Sequence, residues 1–297
     1  MRSVSVAVIQ MACGMDRKSN LARAADLVKE AARKGGEIIV LPELFETPYF
    51  CIATEASWRD VARAAAGHPT LAAMAELARF HSVVLPVSFY ERDGERLHNS
   101  LAVIDADGRL LGIYRKSHIP DFPAYEEAFY FAPGDTGFRV WETAHGKLGC
   151  GVCWDQWFPE AARAMALKGA EIIVYPTAIG RPHGATTYAF PNSKPHWQTT
   201  MQGHAAANMV IVAAANRIGI ERGGDFTTQF YGGSFIVDET GAKSAELGED
   251  VEGVAVRGYD LDRIAEFRKG WGIFRTRRPD LYGPLLTQAP PDYLMTR

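Results

Sequence analysis

Three side chains able to do acyl-transfer chemistry stand at comparable points of this chain, each just past a run fit for a buried strand. Glu43 follows Glu37–Leu41, Lys116 follows Leu110–Tyr114, and Cys153 follows Lys147–Val152. A thiol is nucleophilic as its thiolate, and a neighbouring base can take its proton. A carboxylate in an apolar, desolvated place has a raised proton affinity suited to base and then acid work. An ammonium, together with the backbone N–H of Trp154 after the cysteine, stabilises the oxyanion of a tetrahedral intermediate. Glu127, a second carboxylate in the loop after Lys116, fits the task of holding the lysine charged and orienting the base. In a parallel-rich sheet the carboxyl ends of strands share one edge, which is where such groups meet.

Each of these residues also has an ordinary reading. By position alone Cys153 is as readily a small buried hydrophobe as a nucleophile, because free cysteine is among the most buried residue types. Lys116 taken singly fits a surface lysine, and Glu43 a cap for the next segment. Together they explain one another's burial, since a glutamate past a fully apolar strand is costly to leave unpaired. Four cysteines occur, Cys13, Cys51, Cys150 and Cys153. Cys150-x-x-Cys153 has the spacing of a redox or half-zinc motif. Strand residues three apart face opposite ways, however, and Cys13 and Cys51 supply no second pair for zinc. No metal is expected. Of the eight histidines, His118 lies closest to the set, in a loop that suits binding better than base work. No Gly-x-Ser-x-Gly marks a serine elbow, and no Gly-x-Gly-x-x-Gly follows a strand as dinucleotide binding would need.

The elements that must position these groups alternate. Val4–Gln10 predicts a strand. Ser19 or Asn20 fits as cap of a helix that turns Leu21, Ala24, Leu27, Val28 and Ala31 inward and ends near Gly35-Gly36. With the strand Glu37–Leu41 this makes a parallel pair joined by a right-handed crossover. A helix over Pro69–His81 and strands over Val83–Tyr90, Ser100–Asp105 and Leu110–Tyr114 follow, with hairpin signals at Asp93-Gly94 and Asp107-Gly108. The loop 115–135 is long enough to be functional. Past Cys153, Pro159 and Glu160 open a helix to Lys168. Next come a strand over Glu171–Tyr175, an irregular loop from Thr177 to Ser193 and a helix over His196–Met209. Strands over Val210–Asn216, Gly233–Val237 and Val251–Tyr259 lead to a helix over Leu261–Lys269. One echo stands out: Lys34-Gly-Gly-Glu-Ile-Ile-Val-Leu-Pro-Glu43 matches Lys168-Gly-Ala-Glu-Ile-Ile-Val-Tyr-Pro-Thr177 in spacing. Two such halves predict a pseudo-symmetric, layered α/β sandwich with helices on the outer faces.

The 297 residues are 47% hydrophobic and 23% charged, with net charge −3 and no basic block, which points away from nucleic acid and anionic membranes. The N-terminus shows no basic segment followed by an apolar stretch, and no apolar run approaches the roughly 20 residues of a membrane span. A cytoplasmic location is the expectation. No linker composition divides the chain, so residues 1–297 read as one domain, with the proline- and arginine-rich tail from about 271 packing on a neighbouring subunit.

At these residues a family resemblance becomes plain. Leu41-Pro-Glu43-Leu-Phe, Tyr114-Arg-Lys116-Ser-His-Ile-Pro and Gly151-Val-Cys153-Trp-Asp-Gln-Trp-Phe-Pro-Glu resemble the three signatures of the nitrilase superfamily of carbon–nitrogen hydrolases. The resemblance runs from Val4 to about Tyr282. It implies a four-layer α-β-β-α subunit that pairs into a homodimer or larger homo-oligomer, with no metal or organic cofactor. It also implies Glu43 as general base, Lys116 as oxyanion stabiliser, Cys153 as nucleophile and Glu127 as the second glutamate. Tyr49, His118, Thr177 and Ala178 fall in similar stretches and are expected around a small ureido or amide substrate.

Within the superfamily the similar branch is that of the N-carbamoylputrescine amidohydrolases, which release putrescine, ammonia and carbon dioxide. Pro48-Tyr-Phe-Cys51, Tyr175-Pro-Thr-Ala-Ile-Gly180, Met201-Gln-Gly-His204 and Trp271-Gly-x-Phe-Arg-x-Arg-Arg-Pro carry that likeness. The branch continues after Gly180 with Ser-Glu-Pro and acidic residues, whereas residues 181–196 here hold no carboxylate. If those acids hold a distal ammonium, another amide or ureido compound becomes the substrate. Gln156-Trp157 also lacks the arginine that superfamily members acting on N-carbamoyl amino acids tend to carry. Nitrile hydrolysis by the same residues and a non-catalytic binding relative are the competing readings.

Overall fold

The computed structural model describes residues 2–184 and 192–287. The first half runs β1 (Ser3–Ala12), α1 (Arg17–Arg33), β2 (Ile38–Val40), α2 (Pro69–His81), β3 (Leu85–Asp93), β4 (Arg96–Ile104) and β5 (Leu110–Arg115). A small ribbon follows, β6 (Asp121–Phe122) and β7 (Tyr125–Glu126). The second half begins β8 (Val140–Thr143), β9 (Gly146–Cys150), α3 (Pro159–Leu167), β10 (Ile172–Thr177) and β11 (Gly180–His183). It continues α4 (Ser193–Asn208), β12 (Ile211–Gly223), β13 (Phe226–Tyr231), β14 (Phe235–Val237) and β15 (Lys243–Glu246). Then β16 (Gly253–Asp260) and α5 (Leu261–Trp271) come, β16 returning to pair with β1.

The repeated decapeptide folds the same way twice. Lys34 and Lys168 end their helices at φ −81°, ψ 4° and φ −81°, ψ 3°. Gly35 and Gly169 follow at φ 87° and 94°, left-handed values that glycine takes without a Cβ clash. The Glu37 N–H then donates to Ser5 O and the Glu171 N–H to Lys147 O, at 2.8 and 2.9 Å. Each glutamate returns the bond, its Oε2 accepting from the N–H of Ser5 (2.8 Å) or Lys147 (3.0 Å). Helix stop, turn and strand entry are thus set by local sequence, and setting them twice makes two equivalent sheets.

The strand order confirms it. One sheet reads β16-β1-β2-β3-β4-β5, with β2 joined to the entry of β3 through a parallel Ile38–Val84 bridge. The other reads β8-β9-β10-β12-β14-β15 with the same parallel and antiparallel sense at each step. Their facing sides interdigitate: Val6, Val8, Ile38 and Val103 pack against Leu148, Ile172, Val174 and Ile211. Outer faces are covered by α1 and α2 on the first sheet and by α3 and α4 on the second. The result is the four-layer α-β-β-α sandwich. β1 continues past its own sheet to pair Met11 and Ala12 with Arg217 and Ile218 of β12, and Glu43 N–H meets Thr177 O at 3.3 Å. The two ends of the repeated segment therefore touch, so the strand ends of both halves open on one place.

Several expectations need correction. Asp16, not Ser19 or Asn20, caps α1, its side chain accepting from Lys18 N–H; Asn20 is buried and bonded to Gly14 and Glu46 instead. α4 starts three residues early because Asn192 is its cap. The strand before Cys153 ends at Cys150. Among the described residues no helix is long and apolar enough to cross a membrane. Residues 185–191 of the loop after Gly180 and 288–297 of the tail lie outside the described residues.

Candidate active site

Lys116 leaves β5 with its N–H on Asn99 O (2.8 Å), and its side chain turns into the sandwich rather than out to water. Its Nζ donates to Glu43 Oε1 at 2.9 Å and to Glu127 Oε1 and Oε2 at 2.8 and 2.6 Å. All three side chains are fully buried, 0% exposed. A burial this complete is tolerable only because each charge meets its opposite. Desolvation works against the ammonium, but Glu127 and Glu43 outweigh it and hold Lys116 well above a lysine's ordinary value. Burial pushes the Glu127 carboxyl up to about 7 even with Lys116 beside it. Tyr49 O–H donates to Glu127 Oε1 at 2.5 Å. Two of the residues expected around the substrate also have partners within the protein: Tyr49 O–H is held by Glu127, and the Thr177 hydroxyl donates to Tyr175 O at 2.9 Å.

Glu43 is asymmetric. Oε1 accepts from Lys116 and from Asn99 Nδ2 (2.7 Å), while Oε2 is buried with no hydrogen-bond partner among the described residues. Its backbone is clamped by Arg217, whose guanidinium donates to Glu43 O (2.7 Å) and Leu44 O (3.1 Å). Leu44 sits at φ 47°, a left-handed value that costs a branched side chain energy and needs such support.

Cys153 begins a short 3₁₀ turn, Cys153–Trp157, at φ 42°. The carboxylate of Asp155, fully buried, holds that turn from both sides. Its oxygens accept from Val152 N–H (2.9 Å) on the cysteine side, and from Tyr114 O–H (2.7 Å) and His118 N–H (3.0 Å) on the lysine side. His118 Nδ1 bonds the same carboxylate at 2.7 Å and its ring stacks on Phe158, so the expected binding histidine braces the turn. The first turn bond runs from Asp155 N–H to Val152 O, so the Trp154 N–H lies ahead of the bonded turns. The thiol lies 3.8 Å from Ala178 O. Burial, then repulsion from Glu43, raises its pKa well above the ordinary thiol value, with Lys116 pulling the other way. A resting thiol is therefore protonated, and attack requires a base at that moment. All four cysteines are free, so Cys150 and Cys153 form no disulfide. Among the described residues no group of His, Cys, Asp or Glu could hold a metal ion.

Asn99, Asp155 and Arg217 escaped the sequence reading. Asn99 gave little signal, lying between His98 and Ser100 just before the strand expected from Ser100. Gly151, two residues before the thiol, is fixed by space: a Cβ there would lie 2.6 Å from Tyr175 Cε1. Gly151→Ala is expected to cost about 1–3 kcal/mol of stability through overpacking, read as a lowered thermal midpoint. A pocket of about 260 Å³ opens from Cys153, walled by Phe122, Tyr125, Trp154, Trp157, Ile179 and His196 among others.

Comparison with known proteins places the chain in a family. The carbon-nitrogen hydrolase family model matches residues 5–269. An N-carbamoylputrescine amidase of Arabidopsis thaliana is 52% identical over 96% of this chain and 96% of its own. A citrullinase of Francisella tularensis subsp. tularensis is 46% identical over 96% of this chain and 99% of its own. The crystal structure of a carbon-nitrogen hydrolase from Helicobacter pylori G27, 38% identical, superposes with a TM-score of 0.89 over 97% of this chain and 100% of that one. On sequence, strand order and structural likeness, the chain belongs to the carbon-nitrogen hydrolase family, within the nitrilase superfamily.

Proposed function

We propose that the protein is a cysteine-dependent amidohydrolase that cleaves a carbamoyl or amide C–N bond, with Cys153 as nucleophile, Glu43 as general base and acid, and Lys116 with the Trp154 N–H as the oxyanion site. The observation that carries this is the buried Glu43–Lys116–Glu127 cluster in which one Glu43 oxygen has no partner among the described residues while the carboxylate acts electrostatically on a protonated thiol. As sulfur attacks the carbonyl carbon, Glu43 takes the S–H proton and the oxyanion settles toward Lys116. Collapse expels ammonia or an amine, which leaves with the proton from Glu43. Water, deprotonated by the same carboxylate, then attacks the thioester-type intermediate and frees Cys153. Glu127 keeps Lys116 charged through the cycle.

Relatives named for N-carbamoylputrescine and for citrulline share a ureido head on different tails, which supports a ureido substrate; N-carbamoylputrescine is the first to test. Its hydrolysis would consume one water and yield putrescine, ammonia and carbon dioxide. The experiment is to mix enzyme with substrate, quench within the first turnovers and map the mass adduct by peptide mass spectrometry. An adduct on Cys153 is expected; turnover with the adduct on another residue overturns the assignment. We further read residues 1–297 as one domain in a cytoplasmic homo-oligomer. Four free, buried thiols suit a reducing compartment. Exposed Trp271, Leu281, Leu285 and Leu286 suit a tail that packs on a second copy.

A further inference from the structure

The pocket that opens from the thiol has rings where a charge-reading site would have a counter-ion. Its wall is a chain of neighbouring aromatics: centroids lie 5.1 Å apart for Tyr125–Phe122 and for Phe122–Trp154, 6.2 Å for Trp154–Trp157 and 4.8 Å for Trp157–His196. Among the described residues no carboxylate, ammonium or guanidinium lines it. The nearest candidates in the chain stay off the wall or are already used. Asp121 and Glu126 are register partners on the β6–β7 ribbon, as are Phe122 and Tyr125, and of these four only the two aromatic residues line the pocket. On β11 the alternation of strand side chains puts Gly180 and Pro182 on the pocket and Arg181 behind it, where it binds Glu249 at 3.0 Å and lies over the Tyr231 ring. Lys194 is matched with Glu246 and Glu249. The polar groups that do reach the wall are the His196 imidazole and two neutral, engaged side chains: Asn192 caps α4 and accepts from Arg181 at 3.1 Å, and Ser193 bonds Tyr231 at 3.1 Å. Residues 184–196, which follow β11, contain no Asp or Glu at all.

We propose that this pocket reads the part of the substrate beyond the ureido or amide group as an apolar chain and not as a charge, so that a neutral tail and a cationic tail of one length serve nearly alike. The proposal rests on the amidohydrolase reading above. A site that presents a buried counter-ion to a tail ammonium would reject the methyl analogue by about 10⁴-fold, because its own polar group would be left unpaired. Aromatic faces attract a cation by only roughly two- to fivefold where solvent has access. The terminal methyl of the neutral analogue gains a comparable amount from burial in the same rings.

The test uses the full chain at pH 8 and compares kcat/KM for three ureas of one length: N-carbamoylputrescine, N-pentylurea and 5-ureidopentanoate. N-pentylurea is expected within tenfold of N-carbamoylputrescine, and 5-ureidopentanoate at least tenfold below N-pentylurea, since ring faces repel an anion. N-pentylurea falling more than tenfold below N-carbamoylputrescine overturns the proposal by showing that a carboxylate reaches the tail. An anionic tail that equals or exceeds the neutral one overturns it from the other side. In both of those cases ureido turnover persists, so the hydrolase reading survives; turnover of none of the three removes this proposal together with the ureido substrate class it rests on. Trp157→Ala is expected to raise KM for N-pentylurea by about tenfold with a smaller change in kcat, and an unchanged KM likewise overturns the aromatic wall as the recognition element.

Discussion

Glu43→Gln is expected to lower kcat/KM by about 10³-fold while leaving the fold intact. The amide keeps an oxygen where Oε1 accepts from Asn99 and Lys116, and its NH₂ replaces the oxygen that has no partner among the described residues. What disappears is the base. The thiol rests protonated because burial and then Glu43 itself raise its pKa. Without a carboxylate to take the proton, attack must wait for the thiolate to form unaided. The same change has a second consequence of opposite sign. Removing the Glu43 charge lifts the repulsion on the thiolate and leaves the attraction of Lys116 less opposed, so the thiol pKa falls. The pH profile of iodoacetamide alkylation at Cys153 is expected to move to lower pH in the variant even as turnover collapses. Slow turnover with an unmoved alkylation profile would place Glu43 out of electrostatic reach of the sulfur and end its role as base.

Much of this arrangement was legible in the chain because the cost of burial is written into residue type. Glu43, Lys116 and Cys153 each follow an apolar run, and a charge in such a place must have a partner. The echo of residues 34–43 in 168–177 announced two equivalent halves, since Gly35 and Gly169 force the same turn. Less legible were groups whose partners are far off in sequence. Arg217 closes on Glu43 across 174 positions, and nothing near Arg217 announces it. His118 was read for its chemistry, but the buried Asp155 thirty-seven positions away claims its ring and its N–H. β8, β11 and β15 are four-residue edge pieces too short for a periodic signal. β12 runs on to Gly223, past the Asn216 where the expected strand stops, and the glycines at 219, 223 and 224 serve the β12–β13 hairpin.

Lys116→Met is expected to cut turnover by about 10²–10³-fold, the usual effect of losing one oxyanion donor. It is also expected to cost about 3–5 kcal/mol of stability, because two buried carboxylates then face each other without a counter-charge. The pH dependence tells these apart from a simple packing defect. In the wild type, burial has already lifted Glu127 to about 7, against the pull of Lys116. Removing Lys116 takes away that pull and leaves the repulsion of Glu43, so the folded Glu127 carboxyl binds its proton more tightly than the unfolded one, which titrates near an ordinary carboxylate's pKa of about 4.3. For a group whose folded pKa is raised, stability is fully present below the unfolded value and is lost as pH rises through the folded one. The deficit of Lys116→Met relative to wild type should accordingly be small at pH 5 and widest at pH 8, measured by urea unfolding at both. A deficit that stays constant with pH would mean that the methionine merely fits badly. A deficit that opens with pH would mean that the lysine is what allows two carboxylates to remain ionised in a dry core, the condition under which Glu43 can act as a base at all.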